Sequence, residues 1–251
     1  MKIKILTSGS KANSTLIISN ETKVLIDVGA TSQYIINELQ KENISPNEIN
    51  AIVITHTHSD HIKGLKSFIK KTKAFVYVSE PLVEEIIKLV PVSQIKLIDK
   101  TFFIDNLEFN LIKLSHDVDC YGMLIKENKK EVVYITDTGY INKKYIELLN
   151  NKDLYIIDSN YNEEMLRNGP YPYMLQQRIR SSYGHLSNSD TVDFLNKVIG
   201  PKTKLIFLAH ISENNNTYDL AYKEVTSGVK FNKKKIIVTH QLEACEMVEI
   251  W

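Results

Sequence analysis

The sequence of 251 residues predicts an α+β fold in which two mixed β-sheets pack face to face and helices cover both outer surfaces, a four-layer αββα sandwich. Short apolar runs rich in β-branched residues alternate with segments whose apolar residues recur at helical spacing. Histidine or aspartate follows several of the apolar runs directly. No linker or low-complexity segment interrupts the chain, so we expect one domain over residues 1–251, built from similar halves near residues 1–120 and 121–251.

The elements of the first half follow from turn chemistry and periodicity. The turn-forming residues 20–22 separate two β-branched runs, which predicts a hairpin. Ile35, Ile36 and Leu39 recur at helical spacing ahead of Pro46, which predicts a helix. In order, we predict strands at 1–7, 15–19 and 23–28, a helix at 32–42, a strand at 51–55, a helix at 62–71, a strand at 74–78, a helix within 82–89, and strands at 95–98, 101–104 and 107–114.

The second half shows the same alternation. Val192, Leu195 and Val198 line one face of a helix that ends near Gly200 and Pro201. In order, we predict strands at 121–126 and 131–136, a helix at 143–149, a strand at 154–157, a helix that ends near 182, a helix that begins after 184–188, a strand at 204–208, a helix at 218–226, and strands at 235–239 and 246–250.

Composition excludes several classes of protein. Lys and Arg number 31 against 30 for Asp and Glu, so any affinity for nucleic acid has to come from a local patch. The two cysteines, Cys120 and Cys245, do not make a disulfide framework and fit a reducing compartment. Neither a signal peptide nor an apolar run of membrane-spanning length is present. We therefore expect a cytoplasmic protein that does not enter a membrane.

A six-residue segment, residues 56–61 (HTHSDH), follows the buried strand predicted at 51–55. Imidazole and carboxylate are the donors that zinc and other first-row ions prefer. His56 and His58 project to the same side of an extended segment and can hold one ion together. If a helix begins after them, Asp60 and His61 turn towards a second ion. The alternative, a polar loop with surface histidines, accounts poorly for three histidines and an aspartate in six positions.

Three further residues at strand exits complete a set of seven metal-binding candidates. We predict that His56, His58 and His116 bind one ion, that Asp60, His61 and His210 bind a second, and that Asp137 bridges both. Two divalent ions, zinc or manganese, would generate a bridging hydroxide near neutral pH and neutralise an anionic substrate, so the predicted reaction is hydrolysis. His240 also ends a predicted strand, and we expect it to be structural.

Two other polar features lie near strand ends in the first half. The loop after the first strand contains Ser8, Ser10 and Asn13, which either form a tight turn or bind a substrate phosphate. Its spacing is not that of a P-loop. Asp27, at the end of a buried strand, needs partners and either orients the metal-binding loop or caps the following helix.

All arginines of the chain lie in the tyrosine-rich segment 161–184, as Arg167, Arg178 and Arg180. The planar guanidinium group suits phosphate, and tyrosine rings can stack on nucleobases. We expect these arginines to bind a phosphate backbone, with surface ion pairing as the alternative.

The order of these motifs resembles that of the metallo-β-lactamase superfamily over essentially the whole chain. The matching segments are 25–27 with Gly29, 55–64, His116, 137–139 and His210. The resemblance implies the αββα sandwich with a dinuclear metal site between the sheets.

Further segments, at 8–14, 158–160, 168–172, 184–188 and 210–215, resemble the YycJ/WalJ family. That resemblance implies a cytoplasmic 5′-to-3′ DNA exonuclease. Residues 184–187 and 208–212 resemble the phosphodiesterase branch that includes the tRNA 3′-end processing endonucleases, which implies that His185 acts near the scissile phosphate. Our hypothesis is that His185 protonates the leaving oxygen or holds the phosphate, and that Asp158 orients His185. Asp158 stands where the family usually has glutamate, so we expect a weaker link to His185. Within the motifs we also expect Ser187 and Ser212 to contact substrate and Asp60 to take part in catalysis.

Three alternative functions stay open at this point: an RNA-processing phosphodiesterase, a hydrolase of small esters or thioesters, and a metal-dependent DNA-binding protein without catalysis. An ester hydrolase would have no use for the arginines or for His185, and the full ligand set argues against a protein without catalysis. The predicted function is therefore hydrolysis of a nucleic acid, preferably DNA, by a dinuclear metal centre.

Overall fold

Two mixed sheets of seven strands each form the centre of the molecule within residues 1–250, the part of the chain that the computed structural model describes. In chain order the strands are β1 (Lys2–Thr7), β2 (Ser14–Ser19), β3 (Thr22–Ile26), β4 (Ala51–Val53), β5 (Phe75–Ser79), β6 (Ile95–Ile98), β7 (Thr101–Ile104), β8 (Leu107–Lys113), β9 (Tyr121–Glu127), β10 (Lys130–Ile135), β11 (Leu154–Asp158), β12 (Leu205–Ala209), β13 (Ile236–Val238) and β14 (Val248–Glu249).

The two sheets share one pattern of strand pairing. Their strand orders are β14-β1-β2-β3-β4-β5-β6 and β13-β12-β11-β10-β9-β8-β7. In the first sheet, pairing is antiparallel from β14 to β3 and parallel from β3 to β6. In the second, it is antiparallel from β7 to β10 and parallel from β10 to β13. The carboxyl ends of the parallel strands therefore form one edge in each sheet.

The division between the sheets differs from the predicted halves. The chain passes from the first sheet to the second between Ile98 and Thr101, not near residue 120, because β7 and β8 belong to the second sheet. Strand β14 returns to the first sheet, where Val248 pairs with Ile3. Since each end of the chain completes the same sheet, we propose that residues 1–251 form one domain.

Nine helices flank the sheets within the described residues: α1 (Ser32–Lys41), α2 (Ser59–Ile62), α3 (Leu65–Phe68), α4 (Val83–Ile86), α5 (Ile146–Leu149), α6 (Glu163–Asn168), α7 (Tyr173–Arg180), α8 (Asn188–Val198) and α9 (Tyr218–Gly228). None of these helices has the length and apolar character needed to cross a membrane. The predicted helix at 62–71 corresponds to α3 and a 3-10 helix at Ile69–Lys71, and Lys63 and Gly64 separate α3 from α2. A Cβ atom at Gly64 would lie 2.0 Å from the Ala30 carbonyl oxygen, so the chain can approach this loop only with glycine.

Three apolar clusters produce the four layers. Alternate residues of the strands, such as Ile17 and Phe109, meet between the sheets. On the outer face of the first sheet, Leu25 packs in one cluster with Phe68 of α3. Leu195 of α8 belongs to the cluster that covers the outer face of the second sheet. The predicted αββα sandwich is confirmed, and its two carboxyl edges bring the polar residues together.

Candidate metal centre

Polar residues follow the parallel strands of both sheets at their carboxyl ends. Asp27 follows β3, residues 56–61 follow β4, Asp137 follows β10, Asp158 ends β11 and His210 follows β12. Asp27, Asp137 and His210 have φ angles of 60°, 59° and 57°, a left-handed conformation that is uncommon for residues other than glycine. Strained backbone of this kind concentrates at functional sites.

The first group of candidate ligands contains His56, His58 and His116, whose ligand atoms lie within 4.8 Å of one another. His58 Nδ1 lies 3.3 Å from His116 Nε2, so these two nitrogens converge. His56 is fully buried, and its Nε2 has no hydrogen-bond partner. Burial, reinforced by the neighbouring His61, holds the pKa of His56 well below its usual value. His56 is therefore neutral and offers a free lone pair to a metal ion.

The second group contains Asp60, His61, Asp137 and His210, again within 4.8 Å. His61 Nε2 lies 3.3 Å from an oxygen of each aspartate. His210 Nε2 lies 3.1 Å from Asp137 Oδ1 and 3.3 Å from Asp60 Oδ2. Asp137 Oδ2 is buried without a hydrogen-bond partner. The structure thus brings all seven candidates into two adjoining groups. The bridging of two ions by Asp137 stays a prediction.

The electrostatics of the second group show that it suits a cation. Burial alone would lower the pKa of His210, but the Asp137 charge and the bond with Asp60 outweigh burial and raise it to about 9. For His61, burial is likewise outweighed by Asp137, Asp60 and Asp27, which hold its pKa well above the usual value. Protons on these imidazoles balance the carboxylates, and a divalent ion can take their place. The donor set therefore fits metal ions, as does Asp137 Oδ2, which accepts no hydrogen bond although it lies 3.3 Å from His61 Nε2.

Asp27 bonds to the loop that follows β4 and does not cap helix α1. His61 Nδ1 donates to Asp27 Oδ2 over 2.7 Å, which directs His61 Nε2 towards the second group. The Thr55 hydroxyl and backbone N–H also donate to Asp27, over 2.7 and 2.9 Å. Helix α1 is capped instead by the side chain of Thr31. Asp27 therefore bonds to residues 55–61, as carboxylates behind metal-binding histidines commonly do, and that it orients a metal-binding loop stays a prediction.

Asp117 contacts two candidate ligands and was not among the predicted site residues. Its Oδ1 lies 3.3 Å from His58 Nε2 and 3.3 Å from His116 Nε2. Its Oδ2 accepts a hydrogen bond from Arg178 Nη1 over 2.7 Å. Asp117 thus connects an exposed arginine to the first group. The available signal was an aspartate directly after His116 at a strand exit.

The loop at 8–14 contacts the centre directly. Asn13 Nδ2 lies 3.0 Å from Asp60 Oδ2 and 3.0 Å from His61 Nε2. Ser8 is buried, and its hydroxyl accepts from the backbone N–H of His210 over 2.8 Å. Ser10 is exposed on the turn. Ser8 and Asn13 therefore support the candidate ligands, and phosphate binding by this loop stays a prediction.

The remaining predicted substrate contacts lie around α6 to α8. Arg167 is exposed at the end of α6, and Arg180 Nη2 lies 3.4 Å from Glu163 Oε2. Ser187 is fully buried and caps α8 by accepting from the Asp190 N–H. The hydroxyl of Ser212 accepts from the N–H of Asn215 over 3.3 Å. A substrate would have to displace these serine bonds, so contacts of Ser187 and Ser212 with substrate stay predictions.

His185 and Asp158 lie between the two groups. Asp158 Oδ2 is 3.1 Å from His185 Nδ1, so the shorter side chain reaches the histidine. The His185 ring stacks on His210 at 4.9 Å between centroids and meets the edge of His116 at 5.4 Å. The His185 side chain is 17% exposed, which leaves it open to a substrate.

Comparison with known proteins agrees with this geometry. The sequence model of the Beta-lactamase superfamily domain matches residues 22–211. The exodeoxyribonuclease WalJ of Streptococcus pneumoniae is 34% identical over 230 residues, which cover 88% of this chain and 85% of that protein. The exodeoxyribonuclease YycJ of Bacillus anthracis is 32% identical over 234 residues, which cover 90% and 88%.

A solved structure shows the same fold. The metallo-beta-lactamase fold protein YhfI from Bacillus subtilis superposes with a TM-score of 0.77 at 18% identity, covering 97% of this chain and 98% of that one. With the family match and the two relatives, these findings show that the chain belongs to the metallo-β-lactamase superfamily and, within it, to the YycJ/WalJ-like proteins.

Proposed function

We propose that this protein is a metal-dependent exodeoxyribonuclease that hydrolyses DNA from a 5′ end with two divalent ions, zinc or manganese. The names of both relatives support DNA as the substrate. We further propose that it acts in the cytoplasm, because Cys120 and Cys245 are both free thiols, as a reducing compartment favours.

The position of His185 carries the proposal. Its ring contacts His210 from one ligand group and His116 from the other. A phosphate held at both groups would therefore lie beside this imidazole. A hydrolase of small neutral esters has no need for a further, partly exposed imidazole at that place.

The seven candidate ligands would hold the two ions. His56, His58 and His116 would hold one ion, Asp60, His61 and His210 the other, and Asp137 can serve both. When bound, the ions would supply a reactive water near neutral pH and neutralise phosphate charge.

Asp158 accepts the Nδ1 proton of His185 and so presents His185 Nε2 to the substrate. In this position Nε2 can hold the phosphate or deliver a proton to the leaving deoxyribose oxygen. Asp27 and Asn13 hold His61 and Asp60 in place from behind.

The test is release of nucleotides from end-labelled duplex DNA that carries a 5′ phosphate, with zinc or manganese. We expect stepwise release from the 5′ end that a chelator abolishes. His185→Ala should lower the rate by about 100-fold or more while metal content stays the same, since general acid catalysis contributes about that much. His240→Ala is the matched control, because His240 stacks on Tyr218 outside both groups.

Two outcomes would contradict the proposal. Loss of metal from His185→Ala would make His185 a ligand. Intact DNA in the presence of bound metal would exclude the substrate, and RNA and small esters would be assayed next.

A further inference from the structure

A pocket of about 440 Å³ opens beside the candidate metal centre, and the proposed function does not yet assign it a role. His116 lines it, so the pocket is continuous with the first ligand group. Two tyrosines also line it, Tyr140 and Tyr183, and their exposed fractions of 47% and 59% are high for such large rings. Metal binding by His116 does not require exposed aromatic side chains at this place.

The two tyrosines come from loops that touch each other. A Cβ atom on Gly139 would lie 2.2 Å from the Ser181 carbonyl oxygen and 2.4 Å from the Ser182 carbonyl carbon. Tyr140 follows Gly139, and Tyr183 follows Ser182, so both rings project from one point of contact. Only glycine allows this close approach of the two backbones.

The backbone that carries Tyr140 is anchored next to His116. The Thr138 hydroxyl donates to the Tyr140 carbonyl oxygen over 2.8 Å and accepts from the Ser115 N–H over 3.2 Å. The N–H of Gly139 donates to the Ser115 carbonyl oxygen over 3.1 Å. Because Ser115 precedes His116, the same segment positions a candidate ligand and an exposed aromatic ring.

The charges around the pocket permit an anionic ligand. Of the two carboxylates that line it, Asp117 is paired with Arg178 and Asp119 with Lys113. Lys144 adds a further positive charge to the lining. Each carboxylate among these lining residues is therefore paired with a cation, so neither is left to repel the phosphates of DNA.

We propose that this pocket is a nucleobase subsite, in which a base that flanks the scissile phosphate stacks on Tyr140 and Tyr183. The inference rests on the proposed nuclease function and names how that site holds its substrate. Every base offers a π-face, so stacking gives affinity without strong sequence preference.

The first experiment measures binding without turnover, in the His185→Ala background. Duplex DNA with a 5′ phosphate carries the fluorescent base 2-aminopurine at the first or the second position. Stacking is expected to quench its fluorescence at one of these positions. The double variant Tyr140→Ala/Tyr183→Ala should lose the quenching and bind about tenfold or more weakly, by the usual effect of removing a stacking ring.

Controls separate stacking from structural damage. Phenylalanine at both positions should keep the quenching, because the ring remains. Tyr222→Ala, which removes an exposed tyrosine of α9 outside the pocket, should also keep it. Equal quenching in the double alanine variant and its parent, or none at either position in the parent, would overturn the subsite.

The second experiment distinguishes the subsite from the proposed function. An abasic nucleotide at the position that showed quenching should lower kcat/KM of the wild-type protein about tenfold, and of the double alanine variant less than about twofold. Additive losses would overturn the subsite and leave the nuclease proposal intact. Failure of the wild-type protein to cleave any DNA would overturn both.

Discussion

The carboxyl edges of the two sheets place an aspartate at equivalent positions and surround it differently. Asp27 follows β3 and Asp137 follows β10, the strands at which antiparallel pairing gives way to parallel pairing. Both have φ near 60°. Asp27 accepts hydrogen bonds from Thr55 and His61, whereas Asp137 Oδ2 has none. Equivalent positions in the fold thus give one carboxylate that is hydrogen-bonded to residues 55–61 and one whose Oδ2 accepts no hydrogen bond and lies 3.3 Å from His61 Nε2.

The largest expected effect comes from replacing Asp137. Asp137→Ala removes the buried carboxylate whose Oδ2 accepts no hydrogen bond, and we expect loss of bound metal and a decrease of about 1,000-fold or more in DNA hydrolysis. The magnitude follows from the several kcal/mol of charge stabilisation that a metal ion supplies. Metal analysis and the end-labelled DNA assay measure both quantities. Full metal content in the variant would show that this oxygen is not a ligand.

Asp27→Ala tests the role of Asp27, and we expect it to lower the stability of the folded protein. In chelator-treated protein we expect the free energy of unfolding to fall by about 3 kcal/mol, because buried donors of Thr55 and His61 lose a charged acceptor. Urea denaturation measures the change. Asp27→Asn retains one carbonyl oxygen and should recover part of the loss. Unchanged stability in the alanine variant would mean that Asp27 does not hold the loop.

The candidate ligands show how much of the site could be predicted from the sequence. Residues 56–61 are contiguous, so residue type and spacing alone predicted four candidate ligands. His116, Asp137 and His210 are isolated, and they were predicted because each follows an apolar run. Asp117 was not predicted although it follows His116 directly, because only the folded chain brings it to 3.3 Å from His58 as well as from His116.

The elements show the same limit. Helix α6 was not predicted because its sequence, EEMLRN, has no apolar periodicity. Its signal is the cap, since the Asn162 side chain accepts from the N–H groups of Glu164 and Met165 ahead of an acidic first turn. The strands β7 and β8 were predicted, but their membership of the second sheet depends on pairing with β9, which local sequence does not encode.

The amino edge of the second sheet contrasts with its carboxyl edge, because its charges are paired. Asp153, before β11, accepts from the Glu131 N–H over 2.9 Å and lies 2.9 Å from Lys202 Nζ and 3.1 Å from Lys204 Nζ. Burial would raise the pKa of Asp153, but these donors outweigh burial and lower it below 3.8. A carboxylate satisfied in this way stabilises the fold and has no free oxygen to offer a ligand.

Asp153→Asn therefore has the smallest expected effect, and that effect depends on pH. A depressed pKa in the folded state gives stability that is complete above the unfolded value of 3.8 and is lost as pH falls through the folded value. We expect a loss of about 1 kcal/mol at pH 7, reduced by solvent screening of the lysines, and a smaller loss below about pH 4. Urea denaturation of both proteins at pH 7 and pH 3 measures it. A loss of stability that does not depend on pH would show that packing, and not charge, is its cause. Reduced metal content would show that Asp153 at the amino edge also affects the metal centre at the carboxyl edge.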